Sequence, residues 1–351
     1  MAIPVMGSFA RSISLGGAGP LDSQANAAGG ENVTGAEQQG RPKVAVVGAG
    51  RMGHGIALEF ARGGHAVGLY DLDARRLADA LAEARRDVQD LVAADVLAPT
   101  EVAATLARIT PSADLEHAVA GARFVNEAIA EDLAAKRDLF ARLDRLCPPP
   151  AILASNTSSI SISAIAEACT RPERVVLAHW VLPPHLVPVV EVAPGRRTDD
   201  VTVQATRSLL EALGKWPVYV KQDIPGYLLN RLQFALLREA FHLIEAGIVT
   251  PADLDRLIQG SLGRRMPVVG VMRQADLAGL DVYNQIFKYL GPDLNASPAP
   301  PRILAQALAD GRRGAVAGQG MYAWSAGEAD TFIQRRNAWL VRLLRDDRAA
   351  G

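Results

Sequence analysis

The sequence has few cysteines, almost no net charge and no long apolar run. Its two cysteines, Cys147 and Cys169, are too few for a disulfide framework and lack the spacing of metal ligands, so we expect ordinary thiols and no metal site. The 37 lysines and arginines nearly balance the 38 aspartates and glutamates, which excludes the basic field of a protein that binds nucleic acid or an anionic membrane. No segment is apolar over the length of a membrane span, and no secretory signal pattern begins the sequence, so we predict a cytoplasmic protein.

The composition indicates a globular protein of two domains preceded by a tail. Hydrophobic residues make up 49% of the chain, which is enough for a sizeable core. Residues 1–41 are rich in Gly, Ala, Ser, Asn and Gln, and we predict that they form a disordered N-terminal tail. The length that remains suggests two domains, which we place at residues 42–222 and 223–351.

The most informative segment is a glycine-rich turn between two predicted strands. Val44–Val47 is an apolar run of the kind found in a buried parallel strand, and residues 48–53 read G-A-G-R-M-G. A helical pattern follows, then a second strand at Ala66–Tyr70, which ends at Asp71. This order of elements, a strand, a glycine turn, a helix, a second strand and an acidic residue, indicates a Rossmann-like unit that binds a dinucleotide.

Each residue of the turn has a physical role in that interpretation. Gly48 allows the tight turn, Gly50 lets the backbone approach a pyrophosphate, and Gly53 lets the helix pack closely on the strand. Asp71 is placed to accept hydrogen bonds from a ribose, and its charge would repel a 2′-phosphate. We therefore predict NAD as the cofactor, although nearby arginines leave NADP open.

The rest of the first domain alternates strands with helices. Predicted strands are at 124–129, 152–154, 175–178, 187–192 and 217–221, and predicted helices are at 74–94, 133–146, 162–168 and 201–213. Beyond Asp223 apolar residues recur every three or four positions and strand patterns largely vanish, while Thr250 and Pro251 are typical of a helix start. The sequence predicts an α/β fold with a doubly wound, mostly parallel sheet, followed by an all-helical C-terminal domain.

Polar residues follow three of the predicted strands, where ligands bind such sheets. Residues 155–159 read S-N-T-S-S, His179 follows the strand at 175–178, and Glu191 lies 12 residues further on. Oxidation of an alcohol needs a base for the hydroxyl proton, which neutral histidine supplies near pH 7, and a carboxylate on its other nitrogen would orient it. A structural histidine and a surface acid are the alternative.

Four motifs together resemble the short-chain L-3-hydroxyacyl-CoA dehydrogenase family. They are ASNTSS at 154–159, His179, the segment from Pro188 to Glu191, and PGYLLNR at 225–231. The resemblance covers residues 43 to about 345. It implies NAD-linked oxidation of a secondary alcohol at C3 of an acyl-CoA or small hydroxy acid, and a homodimer formed through the C-terminal domain.

The resemblance also implies roles for individual residues. His179 matches the catalytic base and Glu191 its carboxylate partner, while Ser158 and Asn230 match groups that hydrogen-bond the reacting oxygen. Glu127 matches a position that lines the cofactor side. The full set of predicted cofactor-binding residues is Gly48, Gly50, Met52, Gly53, Asp71, Glu131, Lys136 and Asn156.

The segment after His179 departs from the acyl-CoA members. Leu182 replaces an amide that contacts substrate there, and residues 78–94 lack the lysines that meet CoA phosphates. The His-Trp…Pro-Pro-His run resembles the corresponding segment in one branch of the family. That branch contains lambda-crystallin, carnitine dehydrogenase and a dehydrogenase of pyridine-carboxylate breakdown. Three hypotheses stay open: oxidation at C3, oxidation of a hydroxymethyl or aldehyde group on an aromatic acid, and a non-catalytic NAD(H)-binding protein. His185 either reaches a substrate carboxylate or caps a turn.

Overall fold

The computed structural model describes residues 41–350, so the predicted N-terminal tail lies outside the described residues except for Arg41. Its centre is an eight-stranded sheet with the order β3-β2-β1-β4-β5-β6-β7-β8. All neighbouring strands are parallel except β6 and β7, which are antiparallel. The strands are β1 Val44–Val47, β2 Val67–Tyr70, β3 Ile109–Ser112, β4 Phe124–Glu127, β5 Ile152–Ser155, β6 Val175–Trp180, β7 Val189–Pro194 and β8 Trp216–Tyr219.

Helices cover both faces of the sheet and continue beyond it. The helices along the sheet are α1 Gly53–Arg62, α2 Ala74–Ala93, α3 Val102–Ala107, α4 Leu115–Val119, α5 Leu133–Leu146, α6 Ile162–Ala166 and α7 Asp200–Ala212. The later helices are α8 Leu229–Glu245, α9 Pro251–Gly260, α10 Leu262–Ala278, α11 Leu280–Leu290, α12 Arg302–Ala309 and α13 Glu328–Ala350. The predicted fold class, a mostly parallel α/β sheet followed by helices, is confirmed. No helix within residues 41–350 is long and apolar enough to cross a membrane.

Two apolar layers hold the helices against the sheet. On one face, Ile56 and Phe60 of α1 pack with Leu210 of α7, and on the other Phe140 of α5 packs with Ile162 of α6; each of these side chains is fully buried. The helix starts follow from local chemistry, since Thr250 caps α9 through its side chain and Pro251 occupies the first helical position, as predicted.

Two features of the sheet differ from the sequence prediction. Strand β3 was not predicted, because it has only four residues, contains Pro111 and buries only Ile109 at the sheet edge. Strand β6 extends through Trp180, so His179 lies inside the strand rather than after it. The extension arises from antiparallel pairing with β7, a long-range contact that no local pattern reports.

The last helix returns to the first domain. Helix α13 contacts α2, where Arg345 Nε lies 2.8 Å from Asp95 Oδ2 and Asn337 Nδ2 donates to Asp90 Oδ2 at 3.2 Å. The predicted second domain therefore reaches back over α2 through its final helix.

A buried ion pair ties the far end of the sheet to α1. Lys215 Nζ, just before β8, lies 2.7 Å from Glu59 Oε2 and donates to the Pro184 carbonyl at 2.7 Å. Arg62 holds the same carboxylate. Although burial acts to raise the pKa of Glu59, these two cations lower it to about 2, so the carboxylate is ionised in the folded protein.

We expect Lys215→Met to lower the free energy of unfolding by about 3–5 kcal/mol, because Glu59 would keep a buried charge and lose one of its two cations. Urea unfolding followed by circular dichroism measures this change. The matched control is Lys221→Met, which alters an exposed lysine and should shift stability by less than about 0.5 kcal/mol. Equal stability of the two variants would show that the ion pair does not hold β8 against α1.

Candidate active site

His179 and Glu191 face each other across the antiparallel strand pair. They are register partners in β6 and β7, both side chains are buried, and Nδ1 of the imidazole lies 2.7 Å from Oε2 of the carboxylate. Because an ionised carboxylate only accepts hydrogen bonds, His179 donates from Nδ1 and its Nε2 carries the lone pair. Nε2 lies 3.1 Å from the Ser158 hydroxyl, which is therefore placed to donate to it.

The second oxygen of Glu191 binds the start of the helical domain. Oε1 accepts hydrogen bonds from the backbone N–H groups of Leu228 and Leu229, at 2.8 and 2.9 Å. Burial acts to raise the pKa of Glu191, but the hydrogen bond from His179 and these two N–H groups outweigh it and lower the pKa. The carboxylate is thus held ionised, and it links the imidazole to the first turn of α8.

Glu131 fixes the loop that carries Ser158. Its Oε1 accepts from the backbone N–H groups of Ser158 and Ser159, at 3.0 and 2.8 Å, and from the Thr157 hydroxyl at 2.6 Å. Partial burial acts to raise the pKa of Glu131, but these hydrogen bonds lower it to about 2. The loop therefore closes around an ionised carboxylate, which sets the position of the Ser158 hydroxyl.

Lys136 lies next to the carboxylate of Glu131. The predicted cofactor-binding lysine is only 1% exposed, donates to Glu127 Oε1 at 2.6 Å and lies 3.4 Å from Glu131 Oε2. Lys136 therefore joins Glu127 to Glu131, and its contact with the dinucleotide stays a prediction.

Two asparagines complete the arrangement. Asn230, in the first turn of α8, donates from Nδ2 to the Ser158 carbonyl at 2.8 Å. Asn156 accepts at Oδ1 from the backbone N–H of Trp180, at 2.7 Å. The four residues predicted to carry the chemistry, His179, Glu191, Ser158 and Asn230, therefore lie in one connected network.

The glycine turn borders a cavity of about 640 Å³ suited to a dinucleotide. Gly48 has φ +103°, and a side chain there would meet the Ala128 carbonyl at 2.7 Å; one at Gly53 would meet the Gly48 carbonyl at 1.7 Å. The space beside Gly50 is open, as close approach of a pyrophosphate requires. Met52, Asp71 and Glu131 line the same cavity, so the residues present fit NAD.

Sequence reasoning left two roles open for His185. His185 is 2% exposed, and its ring nitrogens lie 3.3 Å from Asp87 and 3.4 Å from Asp90. These contacts place the ring between two acids of α2, which favours a structural role over contact with a substrate carboxylate.

Sequence reasoning missed Asp223 altogether. Its carboxylate accepts from the backbone N–H of Ser163 at 2.9 Å and from the hydroxyls of Ser161 and Tyr227, which anchors α6 to the link before α8. The serines lie about 60 positions away in sequence, so no local pattern marks this contact.

Comparison with protein families covers nearly all of the described chain. Residues 43–224 match a family model described as 3-hydroxyacyl-CoA dehydrogenase, NAD binding domain. Residues 226–324 match the model described as 3-hydroxyacyl-CoA dehydrogenase, C-terminal domain. The boundary between the two matches falls at residue 225, just before α8.

Individual relatives extend the comparison. The chain is 35% identical over 305 residues to 5-formyl-3-hydroxy-2-methylpyridine 4-carboxylate 5-dehydrogenase of Mesorhizobium japonicum, covering 86% of this chain and 97% of that protein. It is 35% identical over 270 residues to the lambda-crystallin homolog of Homo sapiens, covering 75% and 85%. A crystal structure of a 5-dehydrogenase for the same pyridine acid, described as an NAD⁺-dependent dismutase, matches with a TM-score of 0.82 at 33% identity, covering 87% of this chain and 97% of that one.

We expect Glu191→Gln and Glu191→Ala to separate the two tasks of this carboxylate. In Glu191→Gln the amide N–H faces Nδ1, so the proton of His179 should move to Nε2, while the amide oxygen still accepts from Leu228 and Leu229. Glu191→Ala loses both contacts and should be about 1–3 kcal/mol less stable than Glu191→Gln. Ring ¹⁵N shifts of His179 report the tautomer, and urea unfolding reports stability. An unchanged tautomer in Glu191→Gln would contradict the arrangement.

Proposed function

The chain belongs to the 3-hydroxyacyl-CoA dehydrogenase family, and we propose that it oxidises a hydroxyl group on a small free carboxylic acid. Its two domains match the two domains of the family, and it is an NAD-dependent oxidoreductase that acts on CH–OH groups. The observation that carries the substrate proposal is the cavity beside Ser158, which is lined by arginines of α8.

The proposed reaction assigns the proton to His179. Nε2 of the neutral imidazole accepts the hydroxyl proton of the substrate, and Glu191 stabilises the imidazolium that forms. Ser158 Oγ lies 3.1 Å from Nε2 and Asn230 joins the same loop, so both side chains are placed to hold the substrate oxygen as it becomes a carbonyl. The cavity beside the glycine turn would hold NAD⁺, which would supply the hydride acceptor, so that alcohol and NAD⁺ together give carbonyl, NADH and a proton.

A free acid fits the substrate side of the site. Ser158 and Asn230 line a cavity of about 790 Å³ together with Arg231 and Arg238. Neither guanidinium makes an ion pair with a carboxylate within residues 41–350. Arg231 donates from Nη1 to the Pro225 carbonyl at 3.4 Å, and its other N–H groups and those of Arg238 remain for a substrate anion. Phe234, on the same helix, adds an apolar wall.

Helix α2 lacks the lysines that meet the phosphates of CoA. The family resemblance places those phosphates along this helix, but here it carries four arginines and four acids, namely Arg75, Arg76, Arg85, Arg86, Asp79, Glu83, Asp87 and Asp90. Helix α13 also packs against it. The missing lysines and the neighbouring helix support a substrate without CoA.

A second candidate is oxidation of an aldehyde on a small aromatic acid. The relative that is 35% identical over 97% of its length carries the name of a dehydrogenase for a formyl pyridine carboxylate. The same residues would serve, because a hydrated aldehyde presents a C–H and a hydroxyl as an alcohol does, and its oxidation gives the carboxylic acid, NADH and a proton. Both candidates share the free carboxylate.

We expect NADH formation with free acids and little with CoA esters. The panel pairs L-3-hydroxybutyryl-CoA with free L-3-hydroxybutyrate, and adds L-gulonate, L-carnitine and the formyl pyridine acid; kcat/KM is measured from NADH absorbance. His179→Ala should lower kcat by about 10²–10⁴ while the Kd for NADH stays unchanged. His117→Ala, at an exposed histidine, is the control. Preference for the CoA ester would refute the free-acid proposal, and bound NADH without turnover of any substrate would favour a non-catalytic protein.

The helical domain is proposed to form a homodimer. None of the residues of α8–α11 is buried within the described chain, and Val268, Leu277 and Tyr289 are 80%, 74% and 90% exposed. Monomers rarely expose apolar surface on this scale, and the family resemblance places a second copy on this domain. A second copy is therefore the occupant that we propose for this face.

We expect the full chain to be a dimer by sedimentation equilibrium, and the combined variant Val268→Glu and Leu277→Glu to shift it towards monomer. The physical reason is that a carboxylate buried between apolar surfaces costs several kcal/mol. The control is Val201→Glu, because Val201 is 79% exposed but lies on α7 beside the sheet. A dimer that survives the combined variant, or dissociates equally in the control, would place the interface elsewhere.

A further inference from the structure

A second cluster of chemically active side chains lies on the other side of the glycine turn from the proposed base. His54, Glu83 and Asp87 bring one ring nitrogen and two carboxylates together, with ligand atoms within 4.8 Å of one another. His54 lies in the first turn of α1, and the two acids lie one helical turn apart on α2. None of the three takes part in the proposed oxidation.

The proton on His54 is fixed by the backbone. Its Nδ1 lies 3.0 Å from the Gly50 carbonyl, and since a carbonyl only accepts, Nδ1 carries the proton. In the neutral ring the lone pair is therefore on Nε2, which lies 3.0 Å from Asp87 Oδ2. Two atoms that would both carry lone pairs face each other, so a cation, either a proton or a metal ion, belongs between them. A backbone carbonyl on the remote ring nitrogen is also how proteins orient metal-binding histidines.

A buried histidine faces the same carboxylate oxygen from the other side of the cluster. His185 is 2% exposed, and its Nδ1 lies 3.3 Å from the same Asp87 oxygen. Within residues 41–350, neither His185 Nδ1 nor Asp87 Oδ2 makes a hydrogen bond. A buried polar atom without a partner costs about 1–3 kcal/mol, and native proteins seldom leave two facing each other.

We propose that His54 Nε2, Glu83 and Asp87 bind a divalent transition-metal ion, with His185 Nδ1 facing the same position. One imidazole and two carboxylates are ligands that Zn²⁺ accepts. Glu83 also pairs with Arg86 through Oε1, which leaves its second oxygen for the ion. The cluster borders a cavity of about 610 Å³, which leaves room for a water ligand. The sequence prediction of no metal site rested on cysteine spacing, whereas these ligands are one histidine and two acids from two different helices.

The site would act on the cofactor turn through His54. A metal on Nε2 makes Nδ1–H a stronger donor to the Gly50 carbonyl, which stiffens the turn beside the open space for the pyrophosphate. We therefore expect the ion to tighten NADH binding by at least about fivefold, and NADH to tighten the binding of the ion by the same factor.

The test is a titration of the metal-stripped full chain with Zn²⁺ against a fluorescent zinc indicator, with and without NADH. We expect saturation at one ion per chain. His54→Ala and Asp87→Asn should each weaken binding by more than about tenfold. Glu83→Gln should do the same without risk to folding, because Glu83 is 43% exposed. Asp79→Asn is the matched control, since it removes one charge from an exposed position of the same helix and the same cavity.

Two results would overturn the proposal. One is zinc binding that the three variants leave unchanged, which would place the ion elsewhere. The other is no saturable binding together with ring ¹⁵N shifts that show His54 protonated on both nitrogens at neutral pH. In that case a proton, and not a metal, fills the gap between His54 and Asp87.

Discussion

The two oxygens of the Glu191 carboxylate serve different halves of the chain. One accepts from His179 and sets its tautomer, while the other accepts from the first backbone N–H groups of α8. An ionised group this buried is stable only when its hydrogen-bonding capacity is filled, so both contacts are needed. As a consequence, the first turn of α8 contributes to the electrostatics of the proposed base through the carboxylate.

The antiparallel pairing of β6 and β7 brings Glu191 next to His179. Strand β7 runs against β6, which puts Glu191 directly opposite His179 on the sheet. Lys215 then holds the end of this region by pairing with Glu59 of α1 and donating to the carbonyl of Pro184. The helix that follows the glycine turn and the loop that follows the proposed base therefore share one buried cation, which fixes the cofactor side relative to the substrate side.

The sequence predicted what depends on neighbouring residues and missed what depends on long-range pairing. Val44–Val47, the glycine turn and the Thr250 cap are local patterns, and the structure has all three. The membership of His179 in β6 depends on a partner strand, and the burial of Lys136 depends on Glu127 in β4. Residue types and their order were enough to predict which residues form the candidate site. The distances between them, their burial and their supporting contacts follow only from the three-dimensional structure.

The residues proposed to carry out the oxidation and those proposed to recognise the substrate lie on different elements of the chain. The groups that would move a proton lie on the sheet, where burial and several hydrogen bonds fix each of them. Three residues that line the proposed substrate cavity, Arg231, Phe234 and Arg238, lie on one exposed face of α8. Substitutions on that face leave the His179–Glu191 pair intact, because only the backbone of α8 binds the carboxylate. Under the proposed function, this separation lets one oxidation mechanism serve different acids, and relatives named for a formyl pyridine carboxylate and for L-carnitine are 35% and 37% identical to the chain.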